Sequence, residues 1–288
     1  MTSAEDQQEE LFDSVVGTVA LRVSDLGLQR AFYEEAIGLA LTDDDGSVAL
    51  LSGLGGVPLV RLDASRTRGA SLAQGPHTGL FHIAFRYPDR AALGAAVKRT
   101  AKLTKYFDGA SDHGVSEAVY FTDPEGNGIE LYRDRPLSEW PQAEPGRVGM
   151  FTLPLDLPVL VAEADDGAAA VPDIGHIHLR TADVDRALEF WRDAVGLDER
   201  QRFGAQAVFL AEGLYHHHIG ANSWQSAGAS PAPGDVPGLE SFELRLRDTA
   251  AVDLTNERLE QAGVSVERDG STLRFRDADS NGVIVSSR

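Results

Sequence analysis

The chain has 288 residues, enough for about two domains at the usual ~150 residues each, and its 42% hydrophobic and 25% charged content is ordinary for a soluble globular protein. A formal charge of −19 argues against a nucleic-acid partner, because a phosphate backbone needs a basic surface to displace its counterions. Zero cysteine excludes disulfides, thiolate metal sites and a cysteine nucleophile.

No apolar run approaches the roughly 20 residues of a membrane helix, and the amino terminus has no basic-then-apolar leader. No membrane partner is expected, and the chain reads as cytoplasmic. The acidic run Glu5-Asp6-Gln7-Gln8-Glu9-Glu10 is expected to be disordered.

The first strand-like run is Thr18-Val-Ala-Leu-Arg22. Ser24-Asp25 then supplies an N-cap signal, and Leu28, Ala31, Phe32, Ala36 and Leu39 follow at helical spacing with a stop near Gly38. Strand-like runs at 48–51 and 58–62 complete the unit. A second copy opens on His82-Ile-Ala-Phe-Arg86, continues in a helix starting near Asp89 and running through 92–103, and closes on strands at 118–122 and 128–132. Residues 136–172 carry Pro136, Pro141, Pro145, Pro154, Pro158 and Pro172 and read as a domain linker, whose apolar stretch 151–161 should pack on a domain surface. The third copy opens on His176-Ile-His-Leu-Arg180 and repeats the first helix closely, with Ala187, Phe190, Trp191 and Val195 before Gly196. After an irregular stretch at 226–238 the fourth opens on Ser241-Phe-Glu-Leu-Arg245, with a helix starting near Asp248.

The fold class is therefore α+β: four βαβββ modules in two tandem domains, 14–135 and 173–288. Units this short bury too little core alone, so they should pair. Each opening strand carries an arginine in one fixed place, and only the middle two carry a histidine four residues earlier, on the same face. That asymmetry points to a site built between copies two and three. The arginines also occur in the other two copies, so they read as structural ion-pair or barrel-lining residues.

The densest motif is His113-Gly-Val-Ser-Glu-Ala-Val-Tyr120-Phe-Thr-Asp123-Pro-Glu-Gly-Asn127-Gly-Ile-Glu130. Asp123 to Asn127 is a tight turn between two strands. The fourth copy repeats the frame as Asp277-Ala-Asp-Ser-Asn281-Gly-Val-Ile284, with Ile284 in the place of Glu130 and Ser241 in the place of His82. One strand pair is polar and its sibling has lost both groups, a contrast that structural need alone does not predict.

In this pattern the chain resembles the vicinal oxygen chelate superfamily (glyoxalases, bleomycin resistance proteins and extradiol dioxygenases). The stretch from His113 to Glu130 resembles the signature of extradiol catechol dioxygenases, and the likeness is closest to the two-domain bacterial catechol 2,3-dioxygenases. The resemblance implies modules paired into cup-shaped mixed and antiparallel sheets. It also implies a metal, Fe(II) or alternatively Mn(II), held by His82, His176 and Glu130. Modules could pair one-with-two and three-with-four, or one-with-four and two-with-three; Thr18 cannot replace a histidine, so two-with-three assembles the full set. Two histidines and one carboxylate leave three positions of an octahedral iron open, which suits Fe(II) oxygen chemistry. The resemblance further implies that His113, Tyr120 and His217 act on the substrate, with His216 or His218 taking the last role if the alignment slips by one. His216, His217 and His218 should alternate faces along a strand. His178 shares a face with His176 and competes as a ligand.

The expected activity is extradiol cleavage of a small aromatic diol by O2. Phe81, Phe121 and Trp224 are candidate walls for the ring, and a homo-oligomer is left open. A glyoxalase-type isomerase or lyase, which would use a further carboxylate ligand, and a small-molecule binding protein of the antibiotic-resistance kind are the alternatives.

Overall fold

Asp25, Asp89, Asp183 and Asp248 each accept a backbone N–H from three residues further on, and so start the helices of the four modules. The structure, a computed structural model, describes residues 14–141, 143–165, 167 and 170–288; the acidic run from Glu5 to Glu10 lies outside the described residues. The first module comprises β1 (Ser14–Arg22), α1 (Leu26–Phe32), β2 (Ala40–Asp44), β3 (Val48–Ser52) and β4 (Pro58–Asp63). The second comprises β5 (Gly79–Arg86), α2 (Arg90–Leu103), β6 (Phe107–Asp112), β7 (Ser116–Thr122) and β8 (Gly128–Asp134). The linker contributes β9 (Leu153–Pro154) and α3 (Leu157–Ala162). The third module comprises β10 (Asp173–Arg180), α4 (Val184–Glu189), β11 (Asp198–Phe203), β12 (Ala207–Ala211) and β13 (Ile219–Asn222). The fourth comprises β14 (Gly238–Leu246), α5 (Thr249–Gln261), β15 (Glu267–Asp269), β16 (Thr272–Arg276) and β17 (Gly282–Ser287). Both α1 and α4 widen into a π turn that closes on a glycine of positive φ, Gly38 at 90° and Gly196 at 102°, a backbone state that costs glycine little.

Two curled mixed sheets result, ordered β15-β16-β17-β14-β1-β4-β3-β2 and β11-β12-β13-β10-β5-β8-β7-β6-β9. Each opening strand runs parallel to the last strand of its own module and antiparallel to the opening strand of another. Module one thus shares a sheet with four, and module two with three. The helices follow a different partition. Tyr87 Oη donates to Ile37 O at 2.8 Å and Thr100 Oγ1 to Ala36 O at 3.3 Å, tying α2 to the end of α1. Thr255 Oγ1 donates to Val195 O at 3.2 Å and does the same for α5 and α4. Helices therefore pack within each half of the sequence, while the sheets cross between the halves.

Alternation along the opening strands sets what goes where. Ile83 and Phe85 on β5, and Ile177 and Leu179 on β10, are buried in the main apolar core with Val19, Leu21, Phe242 and Leu244 of the other sheet. Each such side chain stabilises the fold by roughly 1.5–3 kcal/mol. The intervening residues His82, Ala84, His176 and His178 then share the opposite face.

The linker does more than the surface packing expected of it. β9 adds an edge to β6, and Leu160 of α3 is buried against the main core. Trp140 and Val148 form a small separate core with Val115 and Tyr215, and the Trp140 indole donates to Arg135 O at 2.9 Å.

Gly128 opens β8 beside His82 because the strands approach too closely there for a side chain. A Cβ at this position would stand 2.1 Å from the Phe81 carbonyl oxygen. Gly128→Ala is expected to destabilise the protein by about 1–3 kcal/mol or more, read as a lower urea midpoint at unchanged slope. An unchanged midpoint would mean that the two strands separate freely.

Candidate metal centre

In the ladder register Glu130 on β8 lies beside Ala84 on β5, and Ala84 lies beside His176 on β10. The small side chain between them lets the carboxylate and the imidazole close over it. His82, two residues before Ala84 on the same face, completes the group. Glu130 Oε2 is 2.8 Å from His82 Nε2 and 3.1 Å from His176 Nε2, and one donor atom from each residue falls within 4.8 Å of the others. All three side chains are buried.

The electrostatics suit a cation. Burial alone would raise the Glu130 carboxyl, but the His176 and His82 imidazoles outweigh it and hold the group well below the usual carboxylate range. Burial takes His176 down to about 4 against the pull of Glu130, which leaves its ring neutral and able to ligate. His82 Nε2 is buried without a hydrogen bond although it stands close to the carboxylate. A buried carboxylate faced by two imidazoles whose donor atoms converge on one point fits a divalent ion of the two-histidine, one-carboxylate kind.

The corresponding position in the other sheet is different. Thr18 donates its hydroxyl to Pro58 O at 3.0 Å, and Ile284 stands beside Glu243. Among the described residues, His82, Glu130 and His176 form the one histidine–acid group of this kind.

The triad opens into a cavity of about 480 Å³ that His113, Tyr120, His178 and His217 also line. His113 Nδ1 is 2.8 Å from Phe151 O in the linker, and its Nε2 is 2.7 Å from Tyr120 Oη. A carbonyl only accepts, so Nδ1 carries the proton and in the neutral ring Nε2 accepts from the tyrosine hydroxyl. Burial, reinforced by Glu130 across the strand pair, raises the Tyr120 phenol well above its ordinary value and keeps it protonated.

The run His216–His218 departs from the expected strand. It lies in the connection before β13, because the Arg200 guanidinium takes the Tyr215 and Leu214 carbonyls out of any ladder, and pairing starts only at His218. His217 nevertheless faces the cavity, with its ring centroid 4.1 Å from that of His176 and its buried Nε2 without a hydrogen bond. His216 turns away to Asp134 at 2.9 Å, and His218 packs against the Tyr215 ring. His178 faces the cavity 4.9 Å from the His82 ring, with Nε2 unbonded, but stands outside the three-residue group. Burial pushes both His178 and His217 well below the usual imidazole value.

Phe81, Phe121 and Trp224 line the cavity as expected, and so does Phe209, which the sequence reading missed. Its signal was period two: Val208 and Leu210 are buried in the core, so the residue between them points to the cavity. The conspicuous Asp123–Asn127 turn is structural. Asp123 accepts from the backbone of Glu125 and Asn127 and from the Asn127 amide, and Asp277 repeats the pattern with Asp279 and Asn281.

Histidines held neutral by burial make stability fall with acid. His218 is lowered to about 3, so between that value and the ordinary 6.5 the unfolded chain takes up a proton that the folded chain does not. Stability of the metal-free protein should therefore decline as pH falls below 6.5, by about 1.4 kcal/mol per unit for each such histidine. Urea unfolding at pH 7 and pH 5 checks this, and equal stabilities would contradict the neutral cluster.

The match to the Glyoxalase/Bleomycin resistance protein/Dioxygenase superfamily spans residues 15–131 and 173–283. A catechol-2,3-dioxygenase of Bacillus subtilis (strain 168) is 35% identical over 278 residues, covering 95% of this chain and 97% of that protein. A manganese-dependent 2,3-dihydroxybiphenyl 1,2-dioxygenase of Geobacillus genomosp. 3 is 28% identical over 116 residues, 38% of this chain and 34% of the other. Glyoxalase I from Zea mays shares the fold, with a TM-score of 0.58 at 15% identity, covering 95% of this chain and 92% of the other. With the module repeat, the crossed pairing and the buried triad, these matches make the chain a member of the glyoxalase, bleomycin resistance protein and dioxygenase superfamily.

Proposed function

We propose that the protein is an extradiol catechol dioxygenase that uses Fe(II) held by His82, His176 and Glu130. The observation that carries this reading is the convergence of that triad with His113, Tyr120 and His217 on one partly apolar cavity. The 35% identity to a catechol-2,3-dioxygenase over nearly the whole chain supports it. Mn(II) is the alternative ion, in keeping with the printed name of the Geobacillus relative.

When bound, the ion would supply Lewis acidity toward the two oxygens of an ortho-diol and redox chemistry toward O2. The remaining work falls to side chains. Phe81, Phe209 and Trp224 wall the cavity, keep water from the ring and orient it. His217 Nε2, neutral and unbonded, is placed to take a proton from the diol. Tyr120 keeps its proton and can turn it from His113 to a substrate oxygen, while Phe151 O holds the His113 ring in the required tautomer.

The test is the product. Catechol given to the ferrous protein in air should consume O2 and yield a yellow semialdehyde, with both oxygen atoms retained beside the original diol. A colourless muconate would mean cleavage between the hydroxyls, and no O2 uptake at full iron loading with any catechol tried would overturn the reading.

A further inference from the structure

The four opening-strand arginines do not share one fate. Arg86 is paired with Asp134 at 3.2 Å and Asp173 at 2.6 Å, and Arg245 with Glu243 at 2.7 Å. Arg22 and Arg180 have no carboxylate partner among the described residues. Arg22 gives its Nε to the Val236 carbonyl at 3.0 Å, and among the described residues the Arg180 side chain has no hydrogen-bond partner, with its Nε buried. In a chain of net charge −19, two partly buried guanidinium groups without acids are unexpected.

Antiparallel pairing explains where they go. Arg22 lies opposite Gly238 and Arg180 opposite Gly79, at the ends of the opening strands away from Arg86 and Arg245. There the two sheets frame a second cavity of about 500 Å³, built from equivalent pieces of all four modules. Arg22, Arg66, Arg180 and Arg276 line it. Its three acids are already engaged. Glu125 accepts from the Ser24 and Asp25 backbone and the Ser24 hydroxyl, Glu240 is held by Arg61 and Arg66, and Asp279 by Thr181, Ala182 and Arg186. Arg276 bonds the Ser280 carbonyl at 2.7 Å. Burial, with Arg66 and Arg276 nearby, lowers the Arg22 pKa despite Glu240, and burial alone lowers that of Arg180. The cluster carries more positive charge than its own acids answer.

We propose that this second cavity is a binding site for a small multiply charged anion, a phosphate or a dicarboxylate, gripped by Arg22 and Arg180. Planar guanidinium forks match either oxyanion bidentately. Arg180 and Gly126 line both cavities, so an anion there adjoins the reaction cavity. The assignment is independent of the metal chemistry proposed above.

Titration calorimetry with sodium phosphate and, separately, succinate tests it at low ionic strength. Wild-type protein should bind at least one of them saturably at one site per chain. Arg22→Gln and Arg180→Gln should each weaken that binding at least ten-fold, and Arg268→Gln, whose arginine pairs with Asp253 elsewhere, should not. His176→Ala, which removes a metal ligand, should bind the anion as wild type does and so separates this site from an anion on the metal. Thermal unfolding without added anion guards against misfolding: both glutamine variants should melt at or above the wild-type temperature, since each relieves uncompensated charge. No saturable binding of either anion, or binding that survives both arginine changes, would overturn the proposal. So would loss of binding in His176→Ala, or glutamine variants that melt well below wild type, because the arginines would then be structural.

Discussion

Replacing His82, His176 or Glu130 with alanine is expected to empty the centre of metal and to lower turnover by roughly 10³-fold or more. A bound metal contributes several kcal/mol of charge stabilisation, and each 1.4 kcal/mol is a factor of ten in rate. The effect should be alike for the three because each would supply one donor atom to an ion held at this group. Thr18→Ala and Ser241→Ala, at the corresponding places in the other sheet, should leave metal content untouched. Elemental analysis of the purified variants, with O2 uptake beside it, makes the comparison. Full metal occupancy in His176→Ala would rule out a centre shared between modules two and three.

The second large effect concerns groups that line the same cavity outside the triad. His113→Asn, Tyr120→Phe and His217→Asn should retain the ion and still bind catechol. Turnover should fall by about 10²–10⁴ for at least one of the histidines, the range for a lost general acid or base. Tyr120→Phe also removes the partner of His113 Nε2, so its loss should not add fully to that of His113→Asn in the double variant. His216→Asn and His218→Asn should act on stability instead, since one is tied to Asp134 and the other packs on Tyr215. Normal turnover in His217→Asn, beside a metal-loaded His216 variant that has lost activity, would move the role to His216.

How much of this was legible without coordinates follows from the physics of strands. Side chains alternate with period two, so a histidine and an apolar neighbour in a short run already declare opposite faces. The module count, the caps at Asp25, Asp89, Asp183 and Asp248, and the contrast of Glu130 with Ile284 are all local or repeated features, and local features survive in one dimension. The crossed pairing of modules also followed from residue types, because only copies two and three hold histidines. What stayed hidden depends on contacts between distant segments. The linker reads as proline-rich connection, yet Phe151 O holds the His113 ring and Trp140 packs under Tyr215. The run His216–His218 looks like a strand until Arg200 takes the Leu214 and Tyr215 carbonyls just before it. The four arginines look equivalent in sequence, and antiparallel pairing divides them: Arg86 and Arg245 reach carboxylates at one end, while Arg22 and Arg180 line a cavity at the other. Sequence by itself determined the repeat and the faces, because these depend on spacing along one chain, whereas His82, His176 and Glu130 entered as candidate ligands through the resemblance to a known family. Tertiary structure decided which of these charges found partners, because a carboxylate brought in from another strand, as Asp134 and Asp173 are to Arg86, leaves no trace in local spacing.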